Sequence, residues 1–225
     1  MSLRAMYTRS RCRGPRGIPL ACAVLVLLAS ASGALADADT WPIDTSKSEV
    51  MVHVFRAGAL APRLHDHAFV PEHWNGSIHF DPRAPEKAAV EVTLDATSLR
   101  DQQPELSDKD RATVNEQARG PRILDAEHHP EIRFTTDRLE EIQRTDAQHL
   151  KGVLVGSLEL HGRKRPLRIP IEAGWGPQGL DAVGEVSFQQ SDFGIRPYKK
   201  LLGAIAVQDR VQVELKLHAL PPTAR

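Results

Sequence analysis

The motif best suited to chemistry is His65-Asp66-His67. Residues i and i+2 of a β-strand point to the same side, so a strand here would let both imidazoles reach one metal ion. Histidines near enough in sequence to supply a third ligand are His53, His73 and His79. Two histidines alone are an incomplete site, and the pair also suits polar strand-end residues or a cap on a ligand head group. A divalent metal held by His65 and His67, in a binding module or a metal-dependent enzyme, is therefore one hypothesis.

No other stretch has a recognisable catalytic pattern. The sequence has no nucleophile elbow, phosphate loop or dinucleotide fingerprint. Asp192-Phe193-Gly194 matches a kinase tripeptide without the accompanying loops, so we interpret it as a turn. His128 and His129 precede Pro130, which biases His129 towards extended backbone, and we interpret this pair as turn residues too. We therefore expect no enzyme activity and no catalytic residues.

Alternating apolar residues predict the elements that position these side chains. In residues 211–217, valine or leucine occupies every second position and polar residues lie between them. A period of two is typical of a strand with one dry face and one wet face. Similar patterns recur along the chain and give about eight strands in an all-β, antiparallel β-barrel. A short helical excursion is predicted around residues 107–120, which lack the alternation.

Residues 149–160 and 165–173 form the clearest predicted hairpin. Val153 and Val155 occupy odd positions, whereas Leu158 and Leu160 occupy even ones, so the apolar residues change from one face of the strand to the other. We therefore expect a β-bulge at Gly156. The hairpin tip carries Arg163-Lys164-Arg165, which we interpret as solvated. The alternative is that this tip makes a transient membrane-surface contact.

The apolar faces of the strands are predicted to surround the barrel interior. Eight strands leave room either for side chains alone, as in a purely structural protein, or for one slim ligand. At ~0.8 kcal/mol per buried CH₂, about ten chain carbons would yield ~8 kcal/mol before the cost of ordering the chain, so a ligand should be long and apolar. The residues predicted to point inward are Val90, Val92, Leu94, Ile132, Phe134, Leu167, Ile169, Ile171, Val186, Phe188, Val211, Val213, Leu215 and Leu217.

The N-terminus predicts a secretory signal peptide over residues 1–36. Residues 1–17 contain five arginines and no acidic residue, residues 18–28 are apolar, and Ala34-Leu35-Ala36 is a small-x-small cleavage site. The apolar run is too short for a spanning helix. We therefore expect cleavage after Ala36, a periplasmic or secreted location, and a single domain over residues 37–225.

Composition limits the partners of that domain. Both cysteines lie in the predicted leader, so no disulfide is available to the mature chain. Removing the five leader arginines from 29 basic residues leaves 24 against 29 acidic residues, a net charge of about −5. Mild acidity argues against nucleic acid as a partner. The oligomeric state does not follow from the sequence.

Four motifs follow one another along the predicted domain. They are W-P-I-D at residues 41–44, L-D-A-E-H-H-P-E-I-R-F at 124–134, G-S-L-E-L-H-G-R-K-R-P-L at 156–167 and S-D-F-G-I-R-P-Y at 191–198. In this order they resemble the YceI-like family of polyisoprenoid-binding, lipocalin-like barrel proteins. The resemblance implies a lipocalin-like barrel, a periplasmic or secreted location, and an isoprenoid-type lipid, a polyisoprenoid or quinone-like molecule, held in the barrel. The predicted inward-facing residues would then be its lining.

Overall fold

The computed structural model describes residues 40–222, so the predicted leader lies outside the described residues. The strands are β1 (Thr40–Pro42), β2 (Glu49–Ala57), β3 (His67–Pro71), β4 (Trp74–His79), β5 (Ala89–Asp95), β6 (Leu99–Asp101), β7 (Glu131–Arg144), β8 (His149–Leu160), β9 (Arg163–Gly176), β10 (Gly179–Gln189), β11 (Lys199–Lys200) and β12 (Ile205–Ala219). One α-helix, α1, spans Asp108–Arg119. No helix in this part of the chain is long and apolar enough to cross a membrane.

All the strand pairs are antiparallel, in the order β1-β4-β5-β7-β8-β9-β10-β12-β2-β3-β6, with β11 beside β12. The sheet curls into a half-barrel, which confirms the predicted all-β, lipocalin-like fold. Eight strands in the described range have six or more residues, as expected from the alternation. The other four, β1, β3, β6 and β11, have two to five residues and are too short to show a period.

The W-P-I-D segment links two strands that are distant in the sheet. The Ile43 N–H donates to the Gly76 carbonyl of β4 at 3.1 Å, while Ile43 also forms an isolated β-bridge with Ala219 at the end of β12. The Asp44 N–H donates to the His218 carbonyl at 2.8 Å. This segment therefore holds the two sides of the curled sheet together near β1.

The predicted bulge at Gly156 is wrong in its position. Strand β8 keeps a regular register with β9 through Gly156, and its even-numbered residues face the interior throughout. The extra residues lie in β7, one between Thr136 and Arg138 and one between Glu140 and Gln143. A Cβ on Gly156 would lie 2.0 Å from the Thr135 carbonyl oxygen, so the close approach of β7 requires glycine at this position.

The predicted helical excursion is α1. Ser107 caps it: the Asp110 N–H donates to Ser107 Oγ at 3.2 Å, and the helix ends before Gly120. The chain continues through residues 121–130 and enters β7. Helix α1 and residues 121–130 together cover one end of the barrel.

Candidate functional site

An apolar cavity of about 210 Å³ lies inside the curled sheet. Its wall consists of alanine, valine, leucine, isoleucine and phenylalanine side chains from the long strands, closed at one end by Ala118, Ile123 and Leu124 of α1 and the segment after it. Among the described lining residues, Gln190 is the one with a polar side chain, and its Nε2 donates to the Gln208 carbonyl at 2.8 Å. The interior is hollow, and it offers a guest almost no hydrogen-bonding partner.

Every residue predicted to point inward lines this cavity. Sequence reasoning missed part of the wall. Val50, Val52 and Val54 of β2 alternate in sequence, but apolar neighbours on the opposite face hid their direction. Leu150, Leu154 and Leu158 of β8 were not predicted, because the expected bulge left open which residues of that strand face inward. Phe69 and Leu124 come from a five-residue strand and a loop, where no periodic signal exists.

One end of the barrel, which we call the aromatic end, is closed by Trp41, Phe80 and Trp175. The Phe80 and Trp175 rings meet edge to face at 5.0 Å, and the Trp41 Nε1–H donates to the Phe80 carbonyl at 3.2 Å. Leu150 and Leu180 line the cavity beside them and are almost fully buried. This end is held mainly by dispersion and apolar burial, with the Trp41 indole N–H hydrogen-bonded and the Arg144 guanidinium 5.7 Å from the centre of the Trp175 ring.

The opposite end, which we call the helical end, is held by a buried polar network around Asp101. The Asp101 side chain is fully buried and its carboxylate accepts from His67 Nδ1–H of β3 and, at 2.6 Å, from the Gln103 N–H. Arg111 of α1 donates to the Asp101 carbonyl at 2.7 Å, and Asn115 of α1 accepts from the Asp101 N–H at 2.8 Å. The network ties α1 to β3 and β6, and thereby holds the helix over the cavity.

His65 and His67 do not share a metal-binding arrangement. Strand β3 begins at His67, so His65 lies before it and the rule for positions i and i+2 does not apply to the pair. His65 Nδ1 lies 2.8 Å from Glu105 Oε2, whereas His67 is bonded to Asp101. Among the side chains that the structure describes, no three from histidine, cysteine, aspartate or glutamate are grouped so that they could hold a metal ion, and none of His53, His73 and His79 completes such a group. The geometry does not favour the metal hypothesis.

The remaining residues noted in the sequence lie in turns or pack against neighbouring groups. His128 lies in the turn before β7, with Nδ1 2.9 Å from Asp125 Oδ1. This hydrogen bond raises the pKa of His128 and lowers the pKa of Asp125. Phe193 is buried against Phe188, with ring centroids 5.3 Å apart, and Gly194 turns the chain at φ 78°. In the basic hairpin tip, Arg165 Nε donates to the Asp192 carbonyl at 2.9 Å.

Known proteins include a matching family and similar solved structures. A family model described as the YceI-like domain matches residues 41–219. The crystal structure of BcnA from Burkholderia cenocepacia is similar with a TM-score of 0.61 and 19% sequence identity, covering 79% of this chain and 99% of that one. A polyisoprenoid binding domain from Saccharophagus degradans, implicated in plant cell wall breakdown, gives a TM-score of 0.60 and 10% identity, covering 83% and 100%.

A YceI protein from Campylobacter jejuni gives a TM-score of 0.52 and 17% identity, covering 68% of this chain and 83% of that one. At these identities the likeness to solved structures establishes the shared fold. No curated protein matches the chain.

Proposed function

Because the chain belongs to the YceI-like domain family, we propose that it binds a long apolar lipid of the isoprenoid type, a polyisoprenoid or quinone-like molecule, in the barrel interior. The observation that carries the proposal is the hollow apolar cavity, whose described wall presents one polar side chain, Gln190. The similar domain from Saccharophagus degradans is a polyisoprenoid binding domain, which supports the same ligand class here.

The energetics of the cavity favour an apolar chain over water or a polar metabolite. Engineered apolar cavities of about 150 Å³ stay dry and take up apolar guests, because water finds no partners there. The cavity here has about 210 Å³ and four phenylalanines among mostly aliphatic side chains. Each CH₂ group that enters it gains ~0.8 kcal/mol. A polar metabolite would lose its hydration and find one amide already hydrogen-bonded to Gln208.

The proposed role is binding rather than catalysis. None of the described residues that line the cavity is titratable or nucleophilic, so no side chain there could act as a general acid, base or nucleophile. We also propose a periplasmic or secreted location, which rests on the predicted leader over residues 1–36. A lipid that crosses such an aqueous compartment must be kept out of water, and the apolar barrel interior would bury it.

Organic extraction of the purified protein followed by mass spectrometry tests the proposal, together with titration of delipidated protein with geranylgeraniol. We expect a co-purified isoprenoid lipid and saturable uptake of the probe. Ala182 faces the cavity, and Ala182→Leu adds three carbons to its interior. This change should weaken probe binding by about 5- to 150-fold, since overpacking an apolar site costs about 1–3 kcal/mol.

The matched control is Ala147→Leu, the same substitution in the exposed turn between β7 and β8. It should bind geranylgeraniol like the parent protein. A protein that contains no lipid and takes up no probe, or an Ala182→Leu variant that binds as well as Ala147→Leu, would refute the proposal.

A further inference from the structure

The hairpin between β11 and β12 exposes two adjacent leucines at its tip. Leu202 is completely exposed and Leu201 is 61% exposed, which makes them the two most exposed large hydrophobic residues in the described part of the chain. Single exposed apolar side chains are common on protein surfaces, but a neighbouring pair with so little cover is not. This tip therefore requires an explanation that the lipid cavity does not supply.

The backbone holds both side chains outward. Leu201 and Leu202 have φ values of 50° and 54°, and Gly203 follows at 89°, so three successive residues adopt the left-handed conformation. This conformation is unfavourable for a residue with a Cβ, and it persists only where the surrounding structure imposes it. The strained tip displays the leucines to solvent instead of folding them against the barrel.

The tip is anchored to the body of the protein. Below it, Lys199 and Lys200 pair with Ala206 and Ile205. Beside it, the Leu60 N–H donates to the Ala204 carbonyl at 2.9 Å, and a Cβ on Gly58 would lie 2.3 Å from the Gly203 carbonyl oxygen. The loop after β2 therefore packs closely against the tip and supports it at the helical end of the barrel.

Basic residues outnumber acidic ones around the tip. Lys199 and Lys200 are exposed, and among the described residues neither forms a salt bridge or hydrogen bond through its side chain. Arg63 and Arg196 are exposed on the loop and strand connections next to it. Two carboxylates lie nearby and keep their negative charge: Asp66 is 3.9 Å from the Arg56 guanidinium, and Asp209 accepts from the Ser191 hydroxyl at 2.5 Å. The two lysines and two arginines outnumber them.

We infer that this tip, Lys199 to Gly203, docks the protein on an anionic phospholipid surface. Leucines that project beyond a pair of lysines match the depth profile of a membrane interface, where apolar groups enter the acyl region and ammonium groups remain among the phosphates. A protein partner would more often meet a broader surface with aromatic anchors, and no aromatic side chain belongs to this tip. The relevance to lipid loading rests on the proposed function, whereas the docking itself does not.

Co-sedimentation of the purified protein with vesicles tests the inference. One set contains equal parts phosphatidylglycerol and phosphatidylcholine, and a second set contains phosphatidylcholine alone. We expect stronger binding to the anionic vesicles and a decrease with salt, because the lysine contribution is electrostatic. The double variant Leu201→Ser/Leu202→Ser should bind anionic vesicles at least about tenfold more weakly, since burying even one leucine corresponds to that factor.

Lys199→Gln/Lys200→Gln should bind anionic vesicles about 25-fold more weakly, at about fivefold per lysine, with little change on neutral vesicles. The matched control is Leu220→Ser, which changes an exposed leucine adjoining β1 and should bind like the parent protein. Binding that is absent in the parent, or equal in the leucine double variant and Leu220→Ser, would overturn the inference. Sedimentation velocity in which the double variant loses only self-association would assign the tip to a second copy instead, and overturn it too.

Uptake of geranylgeraniol by the same variants separates this inference from the proposed function. The tip substitutions lie outside the cavity wall and should leave probe uptake unchanged. Vesicle binding without probe uptake would refute the lipid-carrier proposal and leave the docking tip standing. Probe uptake without vesicle binding would refute the docking tip and leave the lipid-carrier proposal standing.

Discussion

The two ends of the barrel are built from different interactions. At the aromatic end, Trp41, Phe80 and Trp175 pack around the last buried leucines. At the helical end, a short helix is held by the hydrogen bonds of Asp101, and the strained tip of β11–β12 stands in solvent. Apolar packing is spread over many contacts, whereas the polar closure depends on a few groups. We therefore expect the helical end to open more readily and to be where a lipid enters.

The largest expected effect comes from breaking the aromatic end. Phe80 is almost fully buried and contacts Trp175, so Phe80→Ala should lower the free energy of unfolding by about 3–5 kcal/mol. Urea unfolding measures the change. As a control at the other end, Leu202→Ala should stay within about 0.5 kcal/mol of the parent, because the side chain makes no buried contact. Equal losses in the two variants would contradict the distinction between the ends.

A smaller effect is expected from Asp101→Asn at the helical end. The amide keeps the shape of the carboxylate but removes the charge that faces His67 and Arg111, which should cost about 2 kcal/mol. Hydrogen exchange should then speed up in α1 more than in β8 or β9, because the helix is tied down through Asp101. Asp108→Asn, at an exposed position in the first turn of α1, is the control and should leave exchange in α1 nearly unchanged. Uniform acceleration throughout the barrel would be the contrary result.

The smallest effect is a pH dependence at the turn before β7. Asp125 raises the pKa of His128 above its ordinary 6.5, and this stabilisation is lost as the pH rises through the raised value. His128 in turn lowers the pKa of Asp125 below its ordinary 3.8, and that stabilisation is lost as the pH falls through the lowered value. The Tm difference between the parent and His128→Gln should therefore be greatest between pH 3.8 and 6.5.

His128 is exposed, so we expect this difference to be small at any pH. Thermal unfolding at pH 5 and at pH 9 is sufficient to measure it. A Tm difference of the same size at both values would show that the turn is held without the charged pair.

Parts of the fold could be predicted because some strands have one face exposed to solvent and lined by polar residues. In β5 and β12, polar residues mark the outer face, so the alternation reveals which side chains line the cavity. In β8, Val153 and Val155 are apolar although they face outward, and the parity signal failed. The bulges of β7 left no local mark in sequence, since they depend on how that strand meets its neighbour: the first lies at Gly156 of β8 and the second lies opposite Gly152.

The candidate site was predictable to a similar extent. Its strand-borne lining follows from periodicity, but the cover formed by Ile123 and Leu124 depends on where a loop folds back. His65 and His67 suggested a metal pair because their spacing suits a strand, and the structure begins the strand at His67. The leucine pair at 201–202 is legible in sequence, yet its exposure depends on the left-handed backbone that carries it.

The amino-acid order by itself determined that this chain forms antiparallel strands with one apolar face each, because burial of alternate side chains is a local property of the pattern. It also carried the four motifs that indicate the family. Only the tertiary structure decided that those faces enclose a hollow of about 210 Å³, sealed by aromatic rings at one end and by α1 at the other. Whether a barrel is filled or empty depends on the curvature of the sheet and the register of its strands, which arise from contacts between residues far apart in the chain.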